Sequence, residues 1–247
     1  MKLIQLFLLI ILGYTSVHAG RSYSQHKQDI YLLKHFFPKK RSGFFVELGA
    51  YDGVSISNTY FFEKYRDWSG ICIEPMAEPY EKLVQNRQCI CLNRCVSDRI
   101  ETVHFFRIHV DEKQKNKDKK AHWREMLSGV EKEYDSPHRC RIQSLMDENK
   151  ISREKISMQT TTLQSIFDEQ QVTKIDLLSL DIEGGEYKIL KSIDFSKMTI
   201  DVILVENNYY NKKIHQLLES KGYKFDKRIF NDEIYFLPKQ FPSIKGI

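Results

Sequence analysis

The chain lacks a Gly-x-Gly-x-x-Gly motif, a paired Cys-x-x-Cys and any internal repeat, and past residues 3–12 it has no long apolar run. Each absence excludes a class. Without the middle glycine there is no pyrophosphate cradle of the nicotinamide-dehydrogenase kind. Without paired cysteines followed by spaced histidines there is no zinc-finger ligand set. Without repeats there is no solenoid. The 247 residues contain only 11 glycines and 6 prolines, which excludes a collagen-like or low-complexity chain. What is present is 41% hydrophobic and 12% aromatic residues, enough for a core, in a length that suits a single domain. The net charge of +5 is modest, and much of it sits in the run Lys113-Gln114-Lys115-Asn116-Lys117-Asp118-Lys119-Lys120. No aromatic residue interleaves with that run and no nucleic-acid motif surrounds it, so it reads as a solvated loop and no nucleic-acid partner is expected.

The N-terminus has the three parts of a secretory signal. Met1-Lys2 is a positive start, residues 3–12 are almost unbroken hydrocarbon, and Val17-His18-Ala19 offers small residues before a cut. That apolar stretch is half the roughly 20 residues a membrane-spanning helix needs, so no span is expected once residues 1–19 are removed. The alternative is an uncleaved anchor or a buried helix. The ending Ile244-Lys245-Gly246-Ile247 is not a KDEL-type retention signal. The expected destination is the secretory lumen or the exterior, with residues 20–247 as the mature domain. There the five cysteines can oxidise, and one or two disulfides with at least one free thiol are expected, their pairing unreadable from sequence.

Beyond the signal, apolar periodicity predicts a helix over 24–37 ended by Pro38, then strands over 43–49, 70–74 and 89–96 separated by helices over 58–65 and 78–87. A strand-like stretch follows at 102–108. Residues 109–157 are polar and weakly periodic, the mark of an inserted lid or binding loop, or of a partly disordered segment. Alternation resumes with a helix over 163–169, a strand over 175–180, a helix over 186–193, a strand over 201–205 and a helix over 212–220. Two last strands, 223–229 and 233–237, are joined by a turn at Asn231-Asp232. Strand–helix alternation gives an α/β fold with a mostly parallel sheet. A closing antiparallel hairpin after parallel strands is the Rossmann-like methyltransferase ending, not that of a dehydrogenase.

In such a sheet ligands gather at the carboxyl ends of the strands. The first strand delivers Glu47-Leu48-Gly49-Ala50-Tyr51-Asp52-Gly53. Two glycines four apart allow a sharp turn and a close backbone approach, and the acids Glu47 and Asp52 suit a ligand without phosphates and with a cationic amino-acid end. The second strand ends in Glu74, placed to accept hydrogen bonds from ribose hydroxyls. The third ends in Ser97-Asp98, where a carboxylate can meet an adenine amino group, although Ser-Asp is also an ordinary turn. The fourth ends in Asp181-Ile182-Glu183-Gly184-Gly185-Glu186, in which some acids complement a helix dipole. The fifth ends in Glu206-Asn207-Asn208.

Several of these segments, in order, resemble the FkbM-type methyltransferases. They are Ser24-Gln25 and Gln28-Asp29, the stretch from Phe45 to Gly53, Gly70-Ile71-Cys72-Ile73-Glu74-Pro75, Ser97-Asp98, Met126-Leu127-Ser128-Gly129, and the stretch from Leu178 to Glu186. Gly185 stands where many members carry Ala, and the basic run at 113–120 resembles an insertion. The resemblance implies S-adenosylmethionine as cofactor and methyl transfer to an oxygen, with macrolide or sugar hydroxyls as acceptors. Glu47, Gly49, Asp52, Gly53, Glu74, Ser97 and Asp98 are the expected cofactor residues, and Asp181 and Glu183 the expected base or acceptor holders. The acceptor is a small molecule or a glycan. Asp181, Glu206 and Asn207 are further expected to converge as hard oxygen ligands for magnesium, the alternative being that Glu206 and Asn207 only cap the sheet. The rival to an enzyme is an inactive family member serving as a secreted or lumenal protein-binding factor.

Overall fold

The computed structural model describes residues 21–118 and 121–242, apart from the side chains of Glu112, Lys117 and His122. The expected signal segment, Lys119, Lys120 and the last five residues lie outside the described residues.

Eleven strands form among the described residues: β1 (Phe44–Leu48), β2 (Ser69–Ile73), β3 (Ile90–Leu92), β4 (Cys95–Ser97), β5 (Thr102–His109), β6 (Gly129–Val130), β7 (Ser152–Thr162), β8 (Lys174–Leu180), β9 (Thr199–Glu206), β10 (Lys224–Ile229) and β11 (Asp232–Phe236). The helices are α1 (Gln28–His35), α2 (Tyr60–Arg66), α3 (Ala77–Asn86), α4 (Glu112–Lys117), α5 (Ser136–Asp147), α6 (Leu163–Glu169), α7 (Glu186–Ser192) and α8 (Lys212–Ser220).

The main sheet has the order β10-β11-β9-β8-β1-β2-β3. Strands β9, β8, β1, β2 and β3 run parallel, while β11 runs antiparallel between β9 and β10. This is the mostly parallel sheet with a closing antiparallel hairpin expected from the sequence. Both faces are covered, as a parallel sheet requires. Alternate side chains divide between them: Val46, Leu48, Leu178, Leu180, Ile203 and Val205 pack with residues of α6, α7 and α8 on one face. Phe45, Cys72, Leu177, Val202 and Leu204 meet Leu32, Phe36, Phe37, Phe62 and Trp68 on the other. The chain leaves β1 toward β2 and β3 and later returns to β8 on the opposite side. The switch point therefore falls between the carboxyl ends of β1 and β8.

Three expectations need correction. The single strand expected over 89–96 is two short ones. Asn93 turns the chain by donating to the Glu74 and Pro75 carbonyls at 2.8 and 3.0 Å, and β4 leaves the main sheet to pair with β7. The weakly periodic stretch 109–157 is likewise ordered among its described residues. β5 and β7 pair antiparallel from Thr102↔Gln159 to His109↔Ser152, and β4, β7, β5 and β6 make a second sheet. The excursion between β5 and β7 has a small core of its own, built from Phe106, Ile108, Val110, Ala121, Leu127, Tyr134, Ile142 and Ile151. β7 escaped detection because its first residues, Ser152 to Lys155, are exposed and leave no apolar alternation to read. The expected disulfides are also not found, all five cysteines being free thiols. Cys72 and Cys91 nonetheless face each other in register on β2 and β3, and the Cys91 thiol donates to the Cys89 carbonyl at 3.5 Å.

Candidate active site

At the carboxyl ends of β1, β2, β4, β8 and β9 lies a cavity of about 370 Å³, in the size range of small-molecule sites. Its floor is the turn after β1. Gly49 has φ +76°, and a Cβ there would lie 1.8 Å from the Asp181 carbonyl oxygen, so only glycine lets the ends of β1 and β8 meet. The Gly49 and Ala50 amides both donate to the Ile73 carbonyl at 3.1 Å, tying the turn to β2.

Glu47 points to the aromatic face of the sheet and is 3% exposed. Its carboxylate accepts from Ser57 Oγ at 2.8 Å, the Asn58 amide at 2.8 Å, Thr59 Oγ1 at 2.7 Å and Arg87 at 3.3 Å. Arg87, wholly buried, also pairs with Glu63 and donates to the Gly53 carbonyl at 2.9 Å. Glu47 borders the cavity, but its oxygens are taken. It holds the loop before α2 in place and has none left for the amino end of a ligand. Asp52 is turned to its own loop, accepting from the Val54 and Ser55 amides at 2.9 and 2.7 Å and from Ser55 Oγ at 2.7 Å. Gly53, at φ +81°, packs under Leu83 and Arg87. Neither borders the cavity, which corrects the expectation for both. The sequence showed two acids flanking a turn, but only their hydrogen-bond partners reveal that the turn itself consumes them.

Glu74 does lie on the cavity wall. One carboxyl oxygen accepts from the Tyr51 amide and the other from the Met76 amide, both at 2.9 Å. Burial pushes its pKa up to about 7 against those two amides. Ser97 also reaches the cavity; Asp98 does not, and only accepts the Ser97 hydroxyl at 3.2 Å.

The opposite wall is acidic. Carboxyl oxygens of Asp181, Glu183 and Glu206 lie within 4.8 Å of one another. Burial, then the charge of Asp232, raises the Asp181 pKa to about 7. Burial and the charge of Asp181 hold Glu183 and Glu206 well above the usual carboxylate range. Glu186, whose carboxylate accepts the Gly184 amide at 2.8 Å, is raised by burial too. Glu183 Oε2 has no hydrogen-bond partner. The Nδ1 of His138 approaches it to 3.3 Å, but burial lowers the His138 pKa, so the ring is neutral and offers no charge. Glu183 itself has φ +58°, an uncommon conformation for its type. At Gly184, φ +124°, an added Cβ would meet the Glu133 carbonyl at 2.7 Å.

Asn207 is not part of this group. Its Oδ1 accepts the Asn211 amide at 2.7 Å, fixing the turn that leads into α8, and it is absent from the cavity wall, where Asn208 stands instead. The third oxygen ligand expected from Asn207 is thus replaced by Glu183. Alternation explains the difference: one residue past the strand, the side chain faces away from the cleft.

The cavity also has residues that sequence reasoning missed. Asn58 donates from Nδ2 to Ser179 Oγ at 3.0 Å, leaving its buried Oδ1 without a partner. Trp123, Arg124 and Met126 of the 3₁₀ helix Ala121–Leu127, with Arg141 from α5, wall the cavity from the excursion between β5 and β7. Tyr51 ties the floor to this wall, its hydroxyl donating to Glu125 at 3.1 Å. Phe230 and Asn231, from the closing hairpin, complete the rim. Of these, the segment from Met126 to Gly129 had a sequence signal in its motif, and the hairpin turn was read only as a turn.

Comparison with protein families matches residues 47–225 to the methyltransferase FkbM domain. A comparison with curated proteins gave no match. Among solved structures, the chain is similar to the FkbM methyltransferase from Methylobacillus flagellatus KT, with a TM-score of 0.43 and 10% identity over 91% of this chain. The chain spans 58% of that protein's length. It is also similar to a chain of a fibrillarin/Nop5p complex, with a TM-score of 0.39 and 15% identity over 86% of this chain and 79% of the other.

Proposed function

Because the chain belongs to the FkbM methyltransferase family, we propose that it is an S-adenosylmethionine-dependent O-methyltransferase. Its acceptor is a hydroxyl group, on a glycan or a small molecule met in the secretory pathway. The observation that carries this reading is the contrast between the walls of one cavity: a glycine turn with Glu74 on one side and three uncompensated carboxyl groups on the other. The residues fit the cofactor. Gly49 lets the turn that floors the cavity close against β8, and Glu74, gripped by two amides, keeps lone pairs for ribose hydroxyls. Ser97 stands where the base would lie.

When bound, the cofactor supplies a methyl group on a cationic sulfur. The chain has to align the acceptor oxygen and take its proton. Asp181 is the proposed base, with the proton passing from the acceptor hydroxyl to its carboxylate. A pKa near 7 keeps a useful fraction ionised at neutral pH and makes it a better proton acceptor than an ordinary aspartate. Glu183 and Glu206 orient the hydroxyl. The same three carboxyls carry a second reading, magnesium held by Asp181, Glu183 and Glu206, which are hard oxygen ligands. In that case the acids are ligands and not bases, and activity on an acceptor falls with EDTA and returns with magnesium. The rival, an inactive family member that binds a protein, predicts no methyl transfer to any acceptor and no need for the carboxyls.

Calorimetry on the purified mature chain separates these readings. S-adenosylhomocysteine is expected to bind in the micromolar range, about 8 kcal/mol, and NAD not at all. Binding of NAD in place of S-adenosylhomocysteine overturns the proposal. N-terminal sequencing of the exported protein, expected to begin near Gly20, tests the secretory route.

A further inference from the structure

A second depression, an open groove of about 460 Å³, is lined by His26, Lys27, Lys34, His35, Lys227 and Arg228 with Ile30, Tyr31 and Ile229. Every ionisable group on it other than Tyr31 is basic. Lys27, Lys34 and Lys227 are exposed and make no ion pair among the described residues. Lys227 reaches only the Tyr31 ring, 5.0 Å from its centroid. Arg228 pairs with Glu233, and neither that acid nor Asp226, which accepts the Tyr31 hydroxyl at the groove's edge, forms an ion pair with the three lysines.

The groove and the active-site cavity are flanked by the same two stretches of chain. Gln25 borders the cavity and the next residue, His26, the groove; Phe230 borders the cavity and the preceding residue, Ile229, the groove. The Phe230 and His26 rings pack with centroids 4.2 Å apart, tilted by 30°. Phe230 is 65% exposed and Tyr210 69%, and Tyr210 lies 3.7 Å beneath the Arg228 guanidinium. Both aromatics stand at positive φ, 58° and 56°, so the rim holds bulky apolar rings outward in a conformation that such residues rarely adopt.

We propose that this groove docks an anionic carbohydrate, a sulfated or uronate-bearing chain, and feeds one of its hydroxyls over Phe230 toward Asp181. This rests on the hydroxyl-acceptor reading above. The lysines match repeated anionic groups, and exposed rings offer the flat apolar faces on which sugar rings stack. Without the groove, an anionic acceptor would be repelled by the carboxyls of the cavity; with it, the charged part of the chain stays on the lysines while an uncharged hydroxyl enters.

The test is binding by the mature chain of a sulfated oligosaccharide, a polyuronate fragment and a neutral oligosaccharide of equal length, in low and moderate salt. The sulfated or the uronate probe should bind at least about tenfold tighter than the neutral one, and less so in salt; which of the two binds tighter identifies the anionic group. Lys27→Glu/Lys34→Glu/Lys227→Glu should lose about 30-fold or more, given three charge reversals at exposed sites. The charge-matched control Lys82→Glu/Lys191→Glu/Lys221→Glu, three exposed lysines away from the groove, should lose little. Melting temperature and S-adenosylhomocysteine affinity are measured on each variant, which separates failure of the groove from misfolding and from failure of the methyltransferase reading. Equal binding of anionic and neutral probes, or an unaffected groove variant, overturns the proposal. So does equally tight capture of single-stranded RNA or anionic vesicles through the same lysines.

Discussion

The two walls of the cavity treat the same functional group in opposite ways. On the β1–β2 side the carboxylates are held by donors: Glu47 has hydroxyl, amide and guanidinium donors, and Glu74 has one amide on each oxygen. On the β8–β9 side Asp181, Glu183 and Glu206 face mainly one another, and their pKa values rise. Hydrogen bonds to the charged form fix geometry, while burial without donors stores free energy in the ionised state. Glu74 is raised as well, to about 7, but two amides fix its orientation; on the reading proposed above, the first wall holds the cofactor and the second moves a proton.

That comparison can be broken at several points. The largest effect is expected on activity. Asp181→Asn should lower methyl transfer by about 100- to 10,000-fold, the range for removing a general base. Cofactor affinity should stay within a few fold, and a variant that turns over normally removes Asp181 from the chemistry.

Next in size is Glu47→Ala, which leaves Arg87 buried without one of its partners. A loss of about 3–5 kcal/mol in unfolding free energy is expected, as when one member of a buried ion pair is deleted. Denaturant titration measures it, and a loss below about 1 kcal/mol would mean that the loop before α2 does not depend on this contact.

A smaller effect has the opposite sign. The folded-state pKa of Asp181 is raised from 3.8 to about 7. A raised acid stabilises the fold fully below the unfolded value, and that contribution is lost as pH climbs through the folded one. The wild-type protein should therefore lose stability from this wall between about pH 4 and pH 7. Asp181→Asn should remove part of that slope and gain about 1–2 kcal/mol at pH 8, less than the full shift implies because the group borders an open cavity. Parallel melting curves for both proteins across that range would place the strain elsewhere.

Much of this was legible in the sequence. Unbroken apolar strands such as Ile175 to Leu180 and the two closing strands gave the sheet, and polar residues directly after them marked the cleft. What was not legible was the direction and partnership of each side chain. Glu47, Asp52 and Asn207 all sit at the expected strand ends, yet one braces a loop, one closes a turn and one caps a helix approach. Those roles depend on Ser57, Thr59, Arg87 and Asn211, whose positions follow from the fold and from no local pattern. The excursion between β5 and β7 was hidden for a related reason. Its strands bury little on their outer face, and the small core beneath them is gathered from residues as far apart as Phe106 and Ile151. The basic groove likewise joins Lys27 and Lys34 to Lys227, about 200 positions later, and no window along the chain contains them.

The central claim is that the wall carrying Glu74 holds S-adenosylmethionine. Calorimetric titration of wild type and Glu74→Ala with S-adenosylhomocysteine tests it most directly. Wild type should bind in the micromolar range, and the variant should weaken by about 1.5–3 kcal/mol, the worth of hydrogen bonds to a charged group. An affinity that does not change on removing Glu74, in a variant that melts like wild type, would contradict the account.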